Sequence, residues 1–130
     1  MSEVLAKLEK KGGAMSETVL WTNPNPSSAF SIQNITLPQS ITDFEYIKFV
    51  YRISTGNSKT CAVIMSVDDF INTNISTNRL TMEAYLSSAH YARMVNYNSP
   101  TSINIEGAYR INASGNTDAG AIPQEIIGLR

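Results

Sequence analysis

Cysteine is nearly missing from this sequence. Cys61 is the only one in 130 residues, so no disulfide can close within the chain and no thiolate cluster can hold zinc. Its setting in the apolar run CAVIMSV predicts a buried side chain acting as a small hydrophobe. Histidine is as scarce. His90 stands alone, without the HExxH spacing that places two imidazoles on one helix face. Charged residues make up 16% of the chain with a net charge of -1, and the only basic run is Lys10-Lys11. A phosphate backbone finds no electrostatic footprint here, which argues against nucleic acid as a partner. No run approaches the roughly 20 apolar residues of a membrane-spanning helix, and no basic segment precedes an apolar one at the N-terminus. A soluble protein is expected, made in the cytoplasm without a signal peptide and with no membrane partner.

Hydrophobic residues nevertheless reach 42%, enough for one core in a chain of this length. With so few ions, solubility falls to Ser, Thr and Asn, a balance that suits a neutral, amide- and hydroxyl-rich β surface. The first fourteen residues differ from the rest. SEVLAKLEKK has Ser2 placed as an N-cap, Val4, Leu5 and Leu8 on one face, a Glu3 to Lys7 pair, and Gly12-Gly13 as a stop. Two readings stay open for residues 1–14. They form a short helical extension that attaches the domain to something else, or they precede the native start, because KKGGA before Met15 can be encoded by a purine-rich stretch resembling a ribosome-binding site. The intact mass of protein from its native source separates the two.

From residue 15 to 130 the pattern is of short strands between turn residues. TNPNPSS (Thr22–Ser28) excludes a helix or central strand and predicts a rigid turn. FSIQNITL (Phe30–Leu37) reads as a strand. YIKFVYRIS (Tyr46–Ser54) alternates, with Ile47, Phe49, Tyr51 and Ile53 toward a core and Lys48, Val50 and Arg52 toward a largely wet face. TGNS predicts a hairpin turn into TCAVIMSV, which reads as a central strand because it is almost continuously apolar. Asp68–Asn78 reads as a loop with room for one helical turn, RLTMEAYL, helix or strand by composition, as a strand from its β-rich context, and HYARMVNY as a strand with Tyr91, Arg93, Val95 and Tyr97 on one face. SINIEGAYRIN predicts a strand with Ile103, Ile105, Gly107, Tyr109 and Ile111 together, the glycine marking a bulge or a close approach. ASGNTDAG is a loop, and AIPQEIIGLR a last strand that, by Pro123, lies at a sheet edge or begins after the proline. The expected fold is all-β, an antiparallel sandwich or jelly roll of about eight strands with a short N-terminal helix.

Candidate chemistry is thin. His90 lacks a GxSxG elbow to present a nucleophile and reads as a polar residue at the start of a strand. Asp68 and Asp69 are adjacent, so in a strand they point to opposite faces, and Glu83 and Asp118 lie far off in sequence. Asp68, Asp69 and Asn72 together leave a calcium site open, although the spacing is not that of an EF-hand. No catalytic residue, no metal ligand and no cofactor site is assigned, and an enzyme is not expected. A polysaccharide hydrolase would need two carboxylates brought together across a groove. Trp21, Tyr85, Tyr91, Tyr97 and Tyr109 have two readings: half-buried sheet residues, or an aromatic face that stacks on sugar rings.

The opening LWTNPNPSSAF (Leu20–Phe30) and the closing AIPQEIIGLR (Ala121–Arg130) together resemble a domain of phage and prophage tail, baseplate or fibre proteins of Gram-positive bacteria. That domain begins with an LWTN-P-P-S-F segment and ends on an IP-x-x-I-x-G-L-R strand, so the resemblance spans Leu20 to Arg130, with only a pattern in common between the ends. It implies a structural protein of the virion that forms a homo-oligomer, a trimer by analogy with fibres, and contacts other virion proteins or the host surface. It carries no catalytic residues over. Two alternatives accompany it: a carbohydrate-binding module for host cell-wall polysaccharide, and a capsid-attached decoration or head-fibre protein.

Overall fold

A computed structural model describes residues 15–72, 80–86, 89–111 and 117–130. The described chain runs β1 (Glu17–Thr22), β2 (Gln33–Thr36), β3 (Tyr46–Ser54), β4 (Asn57–Ser66), a five-residue helix α1 (Val67–Ile71), β5 (Leu80–Leu86), β6 (Ala89–Ser99), β7 (Ser102–Ile105), β8 (Tyr109–Arg110) and β9 (Gly120–Leu129). A 3-10 turn at Ile41–Asp43 joins β2 to β3. The predicted N-terminal helix lies outside the described residues.

The strands form two antiparallel sheets, ordered β1-β9-β3-β4 and β2-β7-β6-β5, with β8 paired to β6. The core lies between them. Ile47, Phe49 and Tyr51 of β3 and Ile122 and Ile126 of β9 meet Met82 and Ala84 of β5, Val95 of β6 and Ile103 and Ile105 of β7. This is the period-two alternation of β3 made physical, since every second side chain leaves water on the same side. Phe30, Ile41, Phe44, Val67 and Phe70 join the same core from the connections and α1. Tyr51 also ties the sheets directly, its hydroxyl donating to the Glu83 carbonyl on β5 at 2.6 Å. Burial raises the phenol's pKa, so the proton that makes this bond is held.

Several expectations are corrected by topology. AIPQEIIGLR is a central strand, between β1 and β3, although it contains Pro123. The proline is tolerated because the β3–β9 register slips between Val50 and Tyr51, leaving Gln124 as an extra residue. A bulge is where a strand can do without a ladder donor. TCAVIMSV, conversely, belongs to β4 at the edge of its sheet. Val63 and Met65 turn inward while Ala62 and Ile64 face outward, so the apolar run fills two faces rather than a middle position. Cys61 is accordingly half-buried against the core instead of enclosed. FSIQNITL contributes only four residues of strand, and Phe30 is a core side chain ahead of it. The side of β3 read as largely wet carries Tyr46, buried with Ile127 and Leu129 and packed against Met15 and Val50.

SINIEGAYRIN is not one strand. Val95 of β6 faces Ile105 and Ala92 faces Tyr109, so three steps along β6 match four along the partner. One extra residue flips every side chain beyond it. Ile103 and Ile105 are therefore buried while Tyr109, opposite Ala92, shares the outer face with exposed Glu83. Gly107 lies in the break.

That break is filled by Arg93. Its side chain is fully buried, and all five of its N–H bonds end on backbone carbonyls: Nε on Ala121 at 2.8 Å, one terminal nitrogen on Phe30 at 2.8 Å and Glu106 at 2.7 Å, the other on Gly120 at 2.9 Å and Asp118 at 3.2 Å. A guanidinium has five donors and no acceptor, so its hydrogen-bonding capacity is used in full. The Phe30 ring also lies under the charge, 5.3 Å from Cζ, a cation–π contact in a dry setting. One acceptor belongs to Ala121, whose φ of 44° is left-handed and strained for a residue with a side chain. Beside it, Gly120 has no room for a Cβ, which would come within 2.3 Å of the Tyr91 ring.

Removing this guanidinium strips donors from five carbonyls, so Arg93→Met is expected to cost about 3–5 kcal/mol in urea unfolding. Arg93→Lys, with three donors for five acceptors, is also expected to lose roughly 2 kcal/mol or more. A midpoint for Arg93→Met within error of the parent protein would remove the guanidinium from this role. Burial pulls the Arg93 pKa down to about 10, with Asp118 opposing the shift. Below that value both folded and unfolded chains hold the proton, so Arg93 gives stability no pH dependence there. Above it the unfolded chain binds the proton more tightly, and this group's contribution to stability rises with pH. The gap in stability between parent and Arg93→Met is therefore expected to stay flat from about pH 5 to 9, as read from urea midpoints across that range.

Candidate functional site

The proline turn and the last strand, at opposite ends of the sequence, build one corner of the molecule. β1 pairs with β9 from Glu17↔Leu129 to Thr22↔Glu125, but the register slips between Val19 and Trp21. The extra residue, Leu20, enters the core, and Trp21 comes opposite Ile126 and packs against the core as well. A bulge that re-aims a side chain is thus what stands the only tryptophan at the sandwich rim. Its ring meets that of Phe30 edge to face, centroids 6.0 Å apart at 76°, a favoured aromatic geometry.

The turn is then clamped from both sides. Buried Asn23 donates from Nδ2 to the Pro123 carbonyl at 2.7 Å and accepts from the Asn25 N–H on Oδ1 at 2.8 Å, so the same amide closes an Asx-turn and holds the β9 bulge. Gln124, the extra residue of that bulge, receives the Asn23 N–H on its carbonyl and donates from Nε2 to the Pro26 carbonyl, both at 2.8 Å. Phe30 is fixed through its N–H to Asp118 at 2.9 Å and its carbonyl to Arg93.

These fixtures leave a cleft of about 190 Å³ between the turn and the start of β2. Trp21 and Phe30 supply its aromatic wall, with Asn23, Asn25, Ser31 and Gln33 among its polar lining, and none of the described lining residues is charged. Asn23 is spent on the fold. Among the described residues no hydrogen bond occupies the Asn25 side-chain amide, the Ser31 hydroxyl or Gln33 Oε1, while Gln33 Nε2 makes an exposed bond of 3.2 Å to the Ser31 carbonyl.

A second polar feature covers the outer face of the β2-β7-β6 sheet. Asn34, Asn104 and Asn96 stand in one row across three strands. Asn104 donates to Asn34 at 3.0 Å, Asn96 donates to Asn104 at 3.1 Å and to Glu106 Oε2 at 2.6 Å, and Asn98 donates to Asn34 at 3.1 Å. This is the amide-rich surface anticipated from composition, with its amides bonded to one another.

The remaining candidates separate. Tyr91 and Tyr97 are half-buried against the core, Tyr97 edge-on to Phe70 at 6.0 Å, which is the sheet-residue reading. Tyr85, 67% exposed, and Tyr109 look outward from β5 and β8. The four tyrosines therefore do not form a common groove. His90 is second in β6, at the start of a strand as expected, stacked on Tyr85 at 3.9 Å with Nε2 3.8 Å from Glu83 Oε1. That nitrogen is buried without a hydrogen bond. Asp68 and Asp69 occupy the first turn of α1, where Ser66 caps the helix through the Asp69 N–H, and Asn72 donates its amide to the Asp68 carbonyl. Carboxylates at a helix start offset its dipole. Among the described residues no three His, Cys, Asp or Glu side chains come together as a metal site. Asp118 is drawn into the Arg93 cluster and Glu83 stands beside His90, so neither lines the Trp21 cleft. No helix among the described residues is long and apolar enough to cross a membrane.

No protein-family model matches the chain, and no curated protein sequence matches it.

The clamp gives a test that separates donor from acceptor. Asn23→Ala loses both bonds and is expected to cost about 2 kcal/mol, whereas Asn23→Asp keeps the Asx-turn acceptor but faces the Pro123 carbonyl with a carboxylate, at a similar or greater cost. Urea midpoints together with the Trp21 emission maximum read both changes. An Asn23→Asp protein as stable as the parent would show that the Pro123 bond contributes nothing.

Proposed function

We propose that the protein is a non-catalytic β-sandwich module of a bacteriophage particle, a tail, baseplate or fibre component that assembles with copies of itself and faces the host surface. The observation that carries this reading is the union of the two segments on which the family resemblance rests. LWTNPNPSSAF and AIPQEIIGLR are paired strand to strand and clamped by Asn23 and Gln124, so they are one physical unit rather than two coincidental strings.

The topology supports a jelly-roll reading of the sandwich. The first strand pairs with the last and the second with the seventh, a nested order, while β3-β4 and β5-β6 close as local hairpins inside it. Self-assembly, a trimer in this proposal, is supported by an apolar row on the outer face of the first sheet. Val19, Ile127 and Ile64 lie in register across it, interrupted by Lys48, with Val19 52% and Ile64 43% exposed. Contact with other virion proteins and assembly in the host cytoplasm belong to the same reading.

Mass spectrometry of purified particles from the source lysate is expected to find this chain at structural copy number, and light scattering after size exclusion to give about three times the 14.3 kDa chain mass. A chain found only in the particle-free fraction would overturn the virion assignment. A monomer at micromolar concentration would overturn the assembly.

A further inference from the structure

We propose that the Trp21 cleft binds one neutral sugar unit of a host-surface glycan. The proposal deepens the reading of the protein as a module that faces the host and gives that contact a place and a chemistry. Size comes first. A volume of about 190 Å³ corresponds to about six waters at liquid density. That is the scale of a single pyranose ring, well below the pockets that enclose drug-sized ligands.

Charge narrows the class. The described lining includes no carboxylate, ammonium or guanidinium, so a phosphate, sulfate or uronate entering here would lose hydration with no counter-charge among these residues to replace it. A neutral polyol loses less, and the cleft offers partners for its hydroxyls. The Asn25 amide both donates and accepts, the Ser31 hydroxyl does the same, and Gln33 Oε1 accepts. The apolar C–H face of a pyranose needs a flat ring, and Trp21 is half-buried at the cleft wall.

Preorganisation strengthens the case. Trp21 is set by the Leu20 bulge and braced by Phe30, Phe30 is held at both its N–H and its carbonyl, and Asn25 is held by its own N–H as the last residue of the Asx-turn on Asn23. The wall of the site is therefore ordered before a ligand arrives, which removes part of the entropic cost of binding. Asn23 lines the cleft too, but its amide is committed to Pro123 and Asn25, so it acts as a positioning residue.

Trp21 is the only tryptophan in the chain, so intrinsic emission of the full-length protein reports directly on this wall. Titration with glucose, galactose, N-acetylglucosamine and N-acetylgalactosamine, with glucuronate as the charged control, is expected to give a saturable emission change with at least one neutral sugar at millimolar concentration and none with glucuronate. Asn25→Ala with Gln33→Ala is expected to weaken that response at least fivefold at an unchanged melting temperature, since both residues are exposed. Saturation-transfer NMR on the same sugars gives a second readout. No response to any of the four neutral sugars up to roughly 50 mM would overturn the site. So would equal binding of glucuronate, or sugar binding unchanged in the double variant. Particle mass spectrometry is independent of these outcomes, so a failed titration removes the sugar site and leaves the virion assignment to its own test.

Discussion

Where the pairing of β6 breaks off, and where the proline turn and the start of β9 come up against it, five carbonyls take their donors from a single side chain. The β6 partner carries one residue too many between Ile105 and Tyr109, and β9 begins through a left-handed alanine. At each of them a backbone carbonyl takes its donor from a side chain. Arg93 reaches both from the interior of β6, and also takes the Phe30 carbonyl at the end of the proline turn. Its charge is spread over five dipoles and an aromatic face instead of being matched by one carboxylate. The desolvation cost of a buried cation is thereby offset by bonds that the irregular backbone would otherwise lack. Three segments distant in sequence take their positions from this one group.

The corner built by β1 and β9 shows a related economy. Each strand carries an extra residue, and the two extras have different uses. Leu20 fills core and turns Trp21 to the rim, while Gln124 leaves the ladder and holds the turn. Pro123 fits beside Gln124 because a bulge lacks a ladder bond. Gly128 has a reason of its own: a Cβ there would come within 2.5 Å of the Phe44 ring. The closing IP-x-x-I-x-G-L-R pattern is thus readable as a bulge, a clamp and a close aromatic approach.

Much of this fold was legible in the sequence because it rests on period-two patterns and turn chemistry. The inward row Ile47, Phe49 and Tyr51, the Thr55-Gly56 hairpin and the TNPNPSS turn follow from local rules, and the structure has them, whereas RLTMEAYL is a strand that only its β-rich context favoured. Strand position within a sheet did not follow, since an apolar run such as CAVIMSV fits an edge with two half-covered faces as well as a centre. The alternation put Arg93 on one face with Tyr91 and Val95, and only the structure shows that this face is the inner one. A cation in an apolar row was the signal of a special role, but its partners are backbone carbonyls, which no side-chain pattern announces. The outward flip of Tyr109 and the inward turn of Leu20 depend on single-residue register slips. Those slips belong to strand pairing, and the one-dimensional pattern does not contain them. The cleft was hidden for the same reason: its polar residues lie in a stretch read only as a turn and a strand, and its wall exists because of a bulge.

The pairing of first and last strands has a mechanical side. Ser16 and Arg130 exchange backbone hydrogen bonds at 2.8 and 3.1 Å, so the two ends of the described domain leave from the same corner. Tension applied between those ends would load the β1–β9 ladder as a zipper, opening one rung at a time rather than shearing all of them together. A pull delivered to one end alone, against a load borne by the opposite sheet, would instead be carried across the whole sandwich.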